Sequence, residues 1–451
     1  MKKKLGVIDE NTSMRTLAGP LFVEMLLMIL LNNVDTVMLS RYSENAVGAV
    51  GNANQVMSLF LILFTIIAGA TGVVVSQYLG AGQKHKMNQI YTLSVIFNLF
   101  WGVGLSVFLI FSRTDLLKLM KVTDNMVQDS SDYMLIVGGC LFLHACYGVL
   151  TQILRCNGFT KIGMYISLLI NVVNIIGNYL FLYGPLSGLE MGVKGVAIST
   201  VCSRTLAVCI ALIAFRYLKI GKISISTLRP FPGRMLWKML KIGVPSAGEN
   251  LAYSAYQLVL LSFVNIMGDQ AVNAKVYATT LMSFSVVFSN SVAQATQIVT
   301  GHLVGAGKED AASRRVWKSL RLCIPVAVAI AGINCMLCPF TLRIFTDNAE
   351  VISLVQHILA VGILMEIGRT TNLTMISSMK AAGDYLFPVV AGLFCMWCVG
   401  IGVGYFSGVI MGLGVTGIFM GTAADECLRG VIVAIRWKRG SWRNRSIVDK
   451  M

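Results

Sequence analysis

The sequence predicts an all-α polytopic membrane protein: twelve transmembrane helices in two six-helix bundles, related by a pseudo-two-fold axis along the membrane normal. Three observations predict this. Only 13% of the 451 residues are charged and 56% are apolar, whereas soluble domains carry about 25% charged residues. The apolar residues come in long, nearly continuous runs. The order of features also repeats at a nearly constant offset through the chain.

The mean hydropathy of +0.72 is more than one aqueous core can absorb, so lipid is the alternative solvent. Runs such as 59–70 and 389–403 lack the alternation of a membrane β-strand. A spanning helix needs roughly 20 apolar residues. Helices are expected over about 17–40, 52–79, 88–112, 132–154, 162–184 and 191–215. A second set is expected over about 242–267, 271–304, 317–342, 353–379, 385–408 and 412–435. The domains read as an N-lobe over 1–215, a cytoplasmic linker over 216–241 holding Pro230 and Pro232, and a C-lobe over 242–451 with a basic cytoplasmic tail.

Charge sets the orientation. With a cytoplasmic N-terminus, 27 of the 37 Lys and Arg residues fall to inner segments and 7 to outer ones. That bias is the signature of a multi-pass inner-membrane protein with both termini cytoplasmic. It also accounts for the net charge of +16 without nucleic acid. The basic Met1-Lys-Lys-Lys start precedes a long apolar run without a cleavage site, so it reads as leading into a retained first helix. Most of the eleven cysteines lie in apolar runs. The pairs Cys335/Cys338 and Cys395/Cys398 lack His or acidic neighbours and read as helix packing, so no structural metal and no cofactor is expected.

The repeat is specific. A shift of 225 places Pro20 and Glu24 on Pro245 and Glu249, Ala70-Thr71 on Ala295-Thr296, and Gly80-Ala-Gly82 on Gly305-Ala-Gly307. It also places Arg155 and Gly158 on Lys380 and Gly383. A shift of 222 places Gly192 and Gly195 on Gly414 and Gly417. Six helices per half give both halves the same direction in the membrane, the parallel-repeat arrangement of several transporter folds with a path between lobes.

An ionisable group at a helix centre costs roughly 3 kcal/mol or more, so each one points to a task or a partner. Glu24 and Asp35 share a face of the first helix, and Asn32 and Asn33 extend a polar patch to Asp35. This reads as a cation or proton site, with hydrogen-bonded packing as the alternative. Glu249, Tyr253, Tyr256 and Gln257 form one face of the seventh helix. A carboxylate beside aromatic rings suits a lipophilic cation. Glu366 and Arg369 on the tenth helix are spaced to neutralise each other or to work together. Asp425 and Arg429 read as a structural pair. Arg204 lacks a local partner and could reach an acid across the N-lobe. Asn171, Asn174 and Asn178 give the fifth helix a polar edge, as Asn290, Gln294 and Gln297 do the eighth. These edges suit hydrogen bonding between helices or a hydrated cavity. His144 and His302 have no ligand-spaced partner and read as structural.

At these residues the chain resembles the multidrug and toxic compound extrusion (MATE) family of the multidrug/oligosaccharidyl-lipid/polysaccharide flippase superfamily. The likeness rests on the six-plus-six layout and on four regions. These are Gly19-Pro20 with Asp35, Gly72 through Gly80-Ala-Gly82 with Gly305-Ala-Gly307, Asn174 with Gly192-Val-Lys-Gly195, and Ile242 through Glu249. The resemblance implies two bundles opening alternately to either side, exchanging sodium ions or protons for small organic cations; a monomer is expected. It implies that Asp35 and Glu249 match the coupling acids of the two lobes, with transported Na⁺ near either, and that Asn174 matches an N-lobe polar residue. Asn178 stands where some members carry Asp, and Glu366 sits beside Arg369 where an unpaired Asp is usual. The alternatives are a lipid-linked oligosaccharide or polysaccharide flippase and an integral membrane enzyme. Acids outnumber unpaired bases in the central helices, which disfavours the first. The chain has no catalytic motif or cofactor fingerprint, which disfavours the second.

Overall fold

The apolar runs form helices throughout. The computed structural model describes residues 8–189, 191–343 and 346–448, the side chains of Asn32 and Thr65 excepted. Six long helices make up the first set: α1 (Met14–Tyr42), α2 (Glu44–Gly80), α3 (Lys84–Leu119), α4 (Asp124–Gly138 and Leu141–Cys156, bent by 44°), α5 (Thr160–Leu182) and α6 (Gly192–Tyr217). The second set is α7 (Gly233–Ile266), α8 (Asp269–Gly305), α9 (Glu309–Leu342), α10 (Ala349–Ala382), α11 (Leu386–Ile410) and α12 (Gly414–Lys438).

Among the described residues nine of these, and the bent α4 as a tenth, are long and apolar enough to cross a membrane. The other two, α7 and α12, have spanning length but carry Glu249 with two lysines and Asp425, Glu426 and Arg429 respectively. The result is a twelve-helix, two-bundle fold.

Several helices start earlier than hydropathy suggests, because polar first turns are invisible to it. Helix α9 begins with Glu309 and Asp310, acids that favour the positive end of a helix. Helix α7 begins at Gly233, just after Pro232, so the last third of the expected linker is helical. The remaining linker lies along α3: the Lys222 amide donates to Asn88 Oδ1 at 2.9 Å, and the Ser224 amide to Thr92 Oγ1 at 3.2 Å.

The chain forms two compact units. The N-terminal unit holds Val23–Gly243, and the C-terminal unit holds Asp9–Phe22 and Val244–Met451. The boundaries fall within three residues of Pro20 and Pro245. Proline interrupts the helical hydrogen-bond ladder, so α1 and α7 each change unit close to the break. The first turns of α1 are fastened in the C-terminal unit, where Arg315 donates to the carbonyls of Glu10 and Thr12 at 3.1 and 2.6 Å.

The repeat is visible in the backbone. Gly82 and Gly307 take φ of +71° and +73°, Gly158 and Gly383 take +85° and +97°, and Gly192 and Gly414 take +43° and +60°. The left-handed region is where glycine has no steric penalty, so these residues mark equivalent turns in each half.

Each unit has its own core. In the N-terminal unit Val50, Met57, Leu109, Met134 and Val196 pack together. In the C-terminal unit Leu260, Ala278, Val355, Met396 and Ile418 do so. Helices α11 and α12 meet through glycines. A Cβ built on Gly421 would lie 2.4 Å from the Gly404 nitrogen, and one on Gly417 would lie 2.5 Å from the Gly408 nitrogen. Small residues at such a seam let membrane helices approach backbone to backbone.

Candidate functional site

The polar residues of α5 and α6 build one connected chain that ends on Asp35. The Ser199 hydroxyl donates to the Asn174 carbonyl at 2.9 Å. Asn174 Nδ2 donates to Thr200 Oγ1 at 3.2 Å. Asn178, one turn along α5, spends both amide hydrogens: one goes to Asn174 Oδ1 at 3.1 Å, the other to Asp35 Oδ1 at 2.7 Å. Asn174 and Asn178 are fully buried, so this amide chain holds the carboxylate in one orientation.

Beyond Asp35 the N-terminal unit opens into a cavity of about 510 Å³. Its walls come from four helices: Asp35 and Leu39 of α1, Val50, Asn54, Met57 and Leu61 of α2, Tyr133 and Leu141 of α4, and Val196 and Arg204 of α6. The volume falls within the roughly 300–1,000 Å³ typical of small-molecule sites. Arg204 lies within electrostatic reach of Asp35, Tyr133 and Cys140. No N···O distance of 4.0 Å or less joins Arg204 to Asp35. The acid that the sequence could only place "across the N-lobe" is therefore Asp35, and the two charges share a cavity without closing a salt bridge.

Four other acids singled out in the sequence, Glu24, Glu249, Glu366 and Asp425, have cationic partners. Arg155 Nη2 lies 2.6 Å from Glu24 Oε1, with the Glu24 side chain 1% exposed. Lys380 Nζ lies 2.7 Å from Glu249 Oε2. Arg369 Nη1 lies 2.7 Å from Glu366 Oε1, and its Nε lies 3.7 Å from Glu426 Oε1. Arg429 pairs with Asp425 along α12. Glu24 and Glu249 thus face bases supplied by α4 and α10, which the spacing along α1 and α7 alone does not reveal. The signal was present in the repeat, since Glu24 and Arg155 map together onto Glu249 and Lys380.

The expected cation-binding face of α7 is divided. Gln257 Nε2 donates to the Tyr253 hydroxyl at 3.1 Å, and Tyr253 remains exposed. Tyr256 departs from the expectation: it is fully buried in the core of the C-terminal unit and lies 3.5 Å from Thr422 Oγ1. Gly400, with no Cβ, leaves room for its hydroxyl. On α8, Asn290 and Gln294 are half-buried. The side chain of Asn32 lies outside the described residues. Glu426 was not singled out from the sequence. It accepts from Asn372 Nδ2 at 2.8 Å and joins Arg369, so that Glu366, Arg369, Asn372 and Glu426 form one polar cluster between α10 and α12.

Comparison with known proteins agrees with this fold. The MatE family model matches residues 20–180 and again 245–406, two blocks that start 225 residues apart. An uncharacterized transporter of Bacillus subtilis, YisQ, is 34% identical over 435 residues, covering 96% of this chain and 95% of that one. A probable multidrug resistance protein of Thermotoga maritima, NorM, is 25% identical over 441 residues, covering 96% and 93%. Among solved structures, a MATE protein in a straight conformation aligns with a TM-score of 0.88 at 19% identity, over 97% of this chain and 98% of that one. A MOP superfamily transporter from Pyrococcus furiosus aligns with a TM-score of 0.89 at 19% identity, over the same shares. With the repeat, the twelve helices and the double match across both halves, the chain belongs to the MatE family of multi-pass membrane transporters.

Proposed function

We propose that this protein is a secondary antiporter that exports organic cations of the multidrug type in exchange for sodium ions or protons, by alternating access across the cell's inner membrane. The observation that carries the reading is Asp35. It is a carboxylate inside a membrane helix, oriented by a buried amide and open to a cavity of drug-sized volume. An intramembrane acid without a paired base is costly to keep and marks an ion or substrate pathway. Cargo and coupling ion would compete for one negative charge, and that competition supplies the difference in affinity that a change of state requires. Glu24, Glu249 and Glu366 are each held by a base. In this reading they enter the cycle only where their pairs open, and Asp35 is the principal coupling residue.

The relatives named for multidrug resistance support the efflux direction, and the excess of Lys and Arg in alternate loops supports cytoplasmic termini. A lipid-linked oligosaccharide or polysaccharide flippase gains support from Arg204 alone. One guanidinium beside a carboxylate is a poor match for a diphosphate.

The test is dye efflux from proteoliposomes loaded with ethidium, with sodium and pH gradients imposed separately. One gradient should drive export, and Asp35→Asn should remove the acceleration while the protein still folds. Undiminished gradient-driven export by Asp35→Asn would refute the assignment.

A further inference from the structure

We propose that the cleft between α11 and α12, at the basic end of the C-terminal unit, binds an anionic phospholipid, with its phosphate at Arg436 and Arg439 and its acyl chains along the two helices. The site belongs to the C-terminal unit, whereas Asp35 and its cavity belong to the N-terminal one. The inference is independent of which ion drives transport.

A cavity of about 230 Å³ opens there, lined by Phe387 of α11, by Ile432, Ile435 and Arg436 of α12, and by Arg439 and Ser441 just beyond it. It is smaller than the roughly 300–1,000 Å³ of a site that encloses a whole small molecule, which suits a headgroup whose tails stay in the bilayer. The turn that carries Arg439 and Ser441 is fixed. Gly440 takes φ of +74°, and Trp442 folds back to stack on Trp437 at 4.1 Å, donating from Nε1 to the Trp437 carbonyl at 2.9 Å. Both rings are fully buried. The charge at this end is unbalanced. Arg436 donates from Nε to Asp384 Oδ2 at 2.7 Å, and its guanidinium lies 4.0 Å from the Phe387 ring centre. Arg445 donates to Oδ1 of the same carboxylate at 2.9 Å. One buried acid thus answers two arginines. Among the described residues the Arg439 side chain has no hydrogen-bonded or ion-paired partner. Three arginines against Asp384 leave an excess of two positive charges.

Guanidinium groups bind phosphate through charge-assisted hydrogen bonds in a planar fork, and basic pockets between membrane helices recognise anionic headgroups. Away from the arginines the flanks are apolar. Val390 and Phe394 continue the face of Phe387 along α11, and Val431 and Leu428 continue the face of Ile435 along α12. All four are exposed. A phospholipid meets these surfaces in order, its phosphate at the guanidinium groups and the Ser441 hydroxyl and its chains against the two apolar rows. A zwitterionic lipid brings its own ammonium group to a place that already holds excess positive charge, so an anionic headgroup is selected. A soluble phosphate meets the arginines but gains nothing from the rows.

Native mass spectrometry of the full chain in detergent, titrated with defined lipids, reads the binding. Phosphatidylglycerol should bind about tenfold more tightly than phosphatidylcholine with the same chains. Arg439→Gln should bring the two lipids within about twofold. Lys308→Gln removes an exposed charge from the α8–α9 turn of the same unit and should leave the preference intact. Glycerol 3-phosphate carries the phosphate without the chains and should bind at least about tenfold more weakly than phosphatidylglycerol. Equal affinity of wild type for the two lipids overturns the proposal, and this result needs no variant to fold. An undiminished preference in Arg439→Gln also overturns it. An equal loss in Lys308→Gln does so too, because the effect would then be one of general surface charge. Glycerol 3-phosphate binding as tightly as phosphatidylglycerol would assign the cleft to a soluble phosphate and remove the lipid.

Discussion

Arg155 donates to Glu24 at 2.6 Å, and the residues 225 positions further on, Lys380 and Glu249, meet in the same way at 2.7 Å. Each pair ties the first helix of its bundle to the fourth, α1 to α4 and α7 to α10. The internal repeat therefore preserves a charge contact as well as a helix pattern. Glu24 is the more deeply buried acid, at 1% exposure against 12% for Glu249.

Burial sets the cost of breaking each pair. Removing one partner from a buried pair strands the other charge and costs about 3–5 kcal/mol, whereas removing both is far less damaging. Arg155→Met should therefore lower the thermal unfolding midpoint clearly, and the Glu24→Gln, Arg155→Met double variant should recover much of the loss. Lys380→Met should cost less than Arg155→Met. Unfolding followed by tryptophan fluorescence in detergent measures all three, and a double variant no better than Arg155→Met would show that the pair is not the source of the cost.

The amide that orients Asp35 has its own signature. Asn178→Ala deletes a 2.7 Å hydrogen bond to a charged group, and such bonds contribute about 1.5–3 kcal/mol. Cation affinity at the cavity should fall by about tenfold or more, since 1.4 kcal/mol corresponds to tenfold. Asn178→Asp sets a second acid against Asp35, able to hydrogen-bond to it only when one of the two holds a proton, and so should make flux respond more strongly to a pH gradient than in wild type. Ethidium binding and flux on the same preparations check this. Unchanged affinity in Asn178→Ala would remove Asn178 from the site.

The glycine seam between α11 and α12 makes a packing prediction. Gly421→Ala forces a methyl group to within 2.4 Å of the Gly404 backbone nitrogen. Overpacking of this kind costs about 1–3 kcal/mol. Gly402→Ala has no atom within 4 Å of its new methyl group and should be within about 0.5 kcal/mol of wild type. The pair of unfolding midpoints tests the seam directly, and equal midpoints would mean that the helices separate without cost.

Topology is testable without purification. A fluorescent protein that matures only in the cytoplasm, fused after Val448, should fluoresce, as expected from the basic residues of the tail. A fusion in the α5–α6 loop after Ser187 should stay dark. A reversed pattern would invert the proposed orientation and the direction of export.

Much of the fold was legible because its physics is local. A helix in lipid satisfies its own backbone, so long apolar runs translate into α1 to α12 with errors mainly at polar ends such as Glu309 and Gly233. The repeat was legible because glycines at positive φ cannot be replaced cheaply. Gly82, Gly158 and Gly192 and their counterparts kept their places for that reason.

The site was less legible, because side-chain pairing depends on which helices become neighbours. Periodicity put Glu249, Tyr253 and Tyr256 on one face of α7. The tertiary fold then gave Glu249 to Lys380 of α10 and sank Tyr256 into the core. The same spacing logic treated Asp35 and Glu24 alike. Only packing distinguished them, placing Glu24 against Arg155 and leaving Asp35 beside a cavity.

By itself, then, the sequence determined a lipid-embedded, twice-repeated set of twelve helices, because hydropathy and glycine conformation are properties of short segments. The tertiary structure alone decided which intramembrane charges are neutralised and which remain available, because a charge is met or left free by residues far away in the chain.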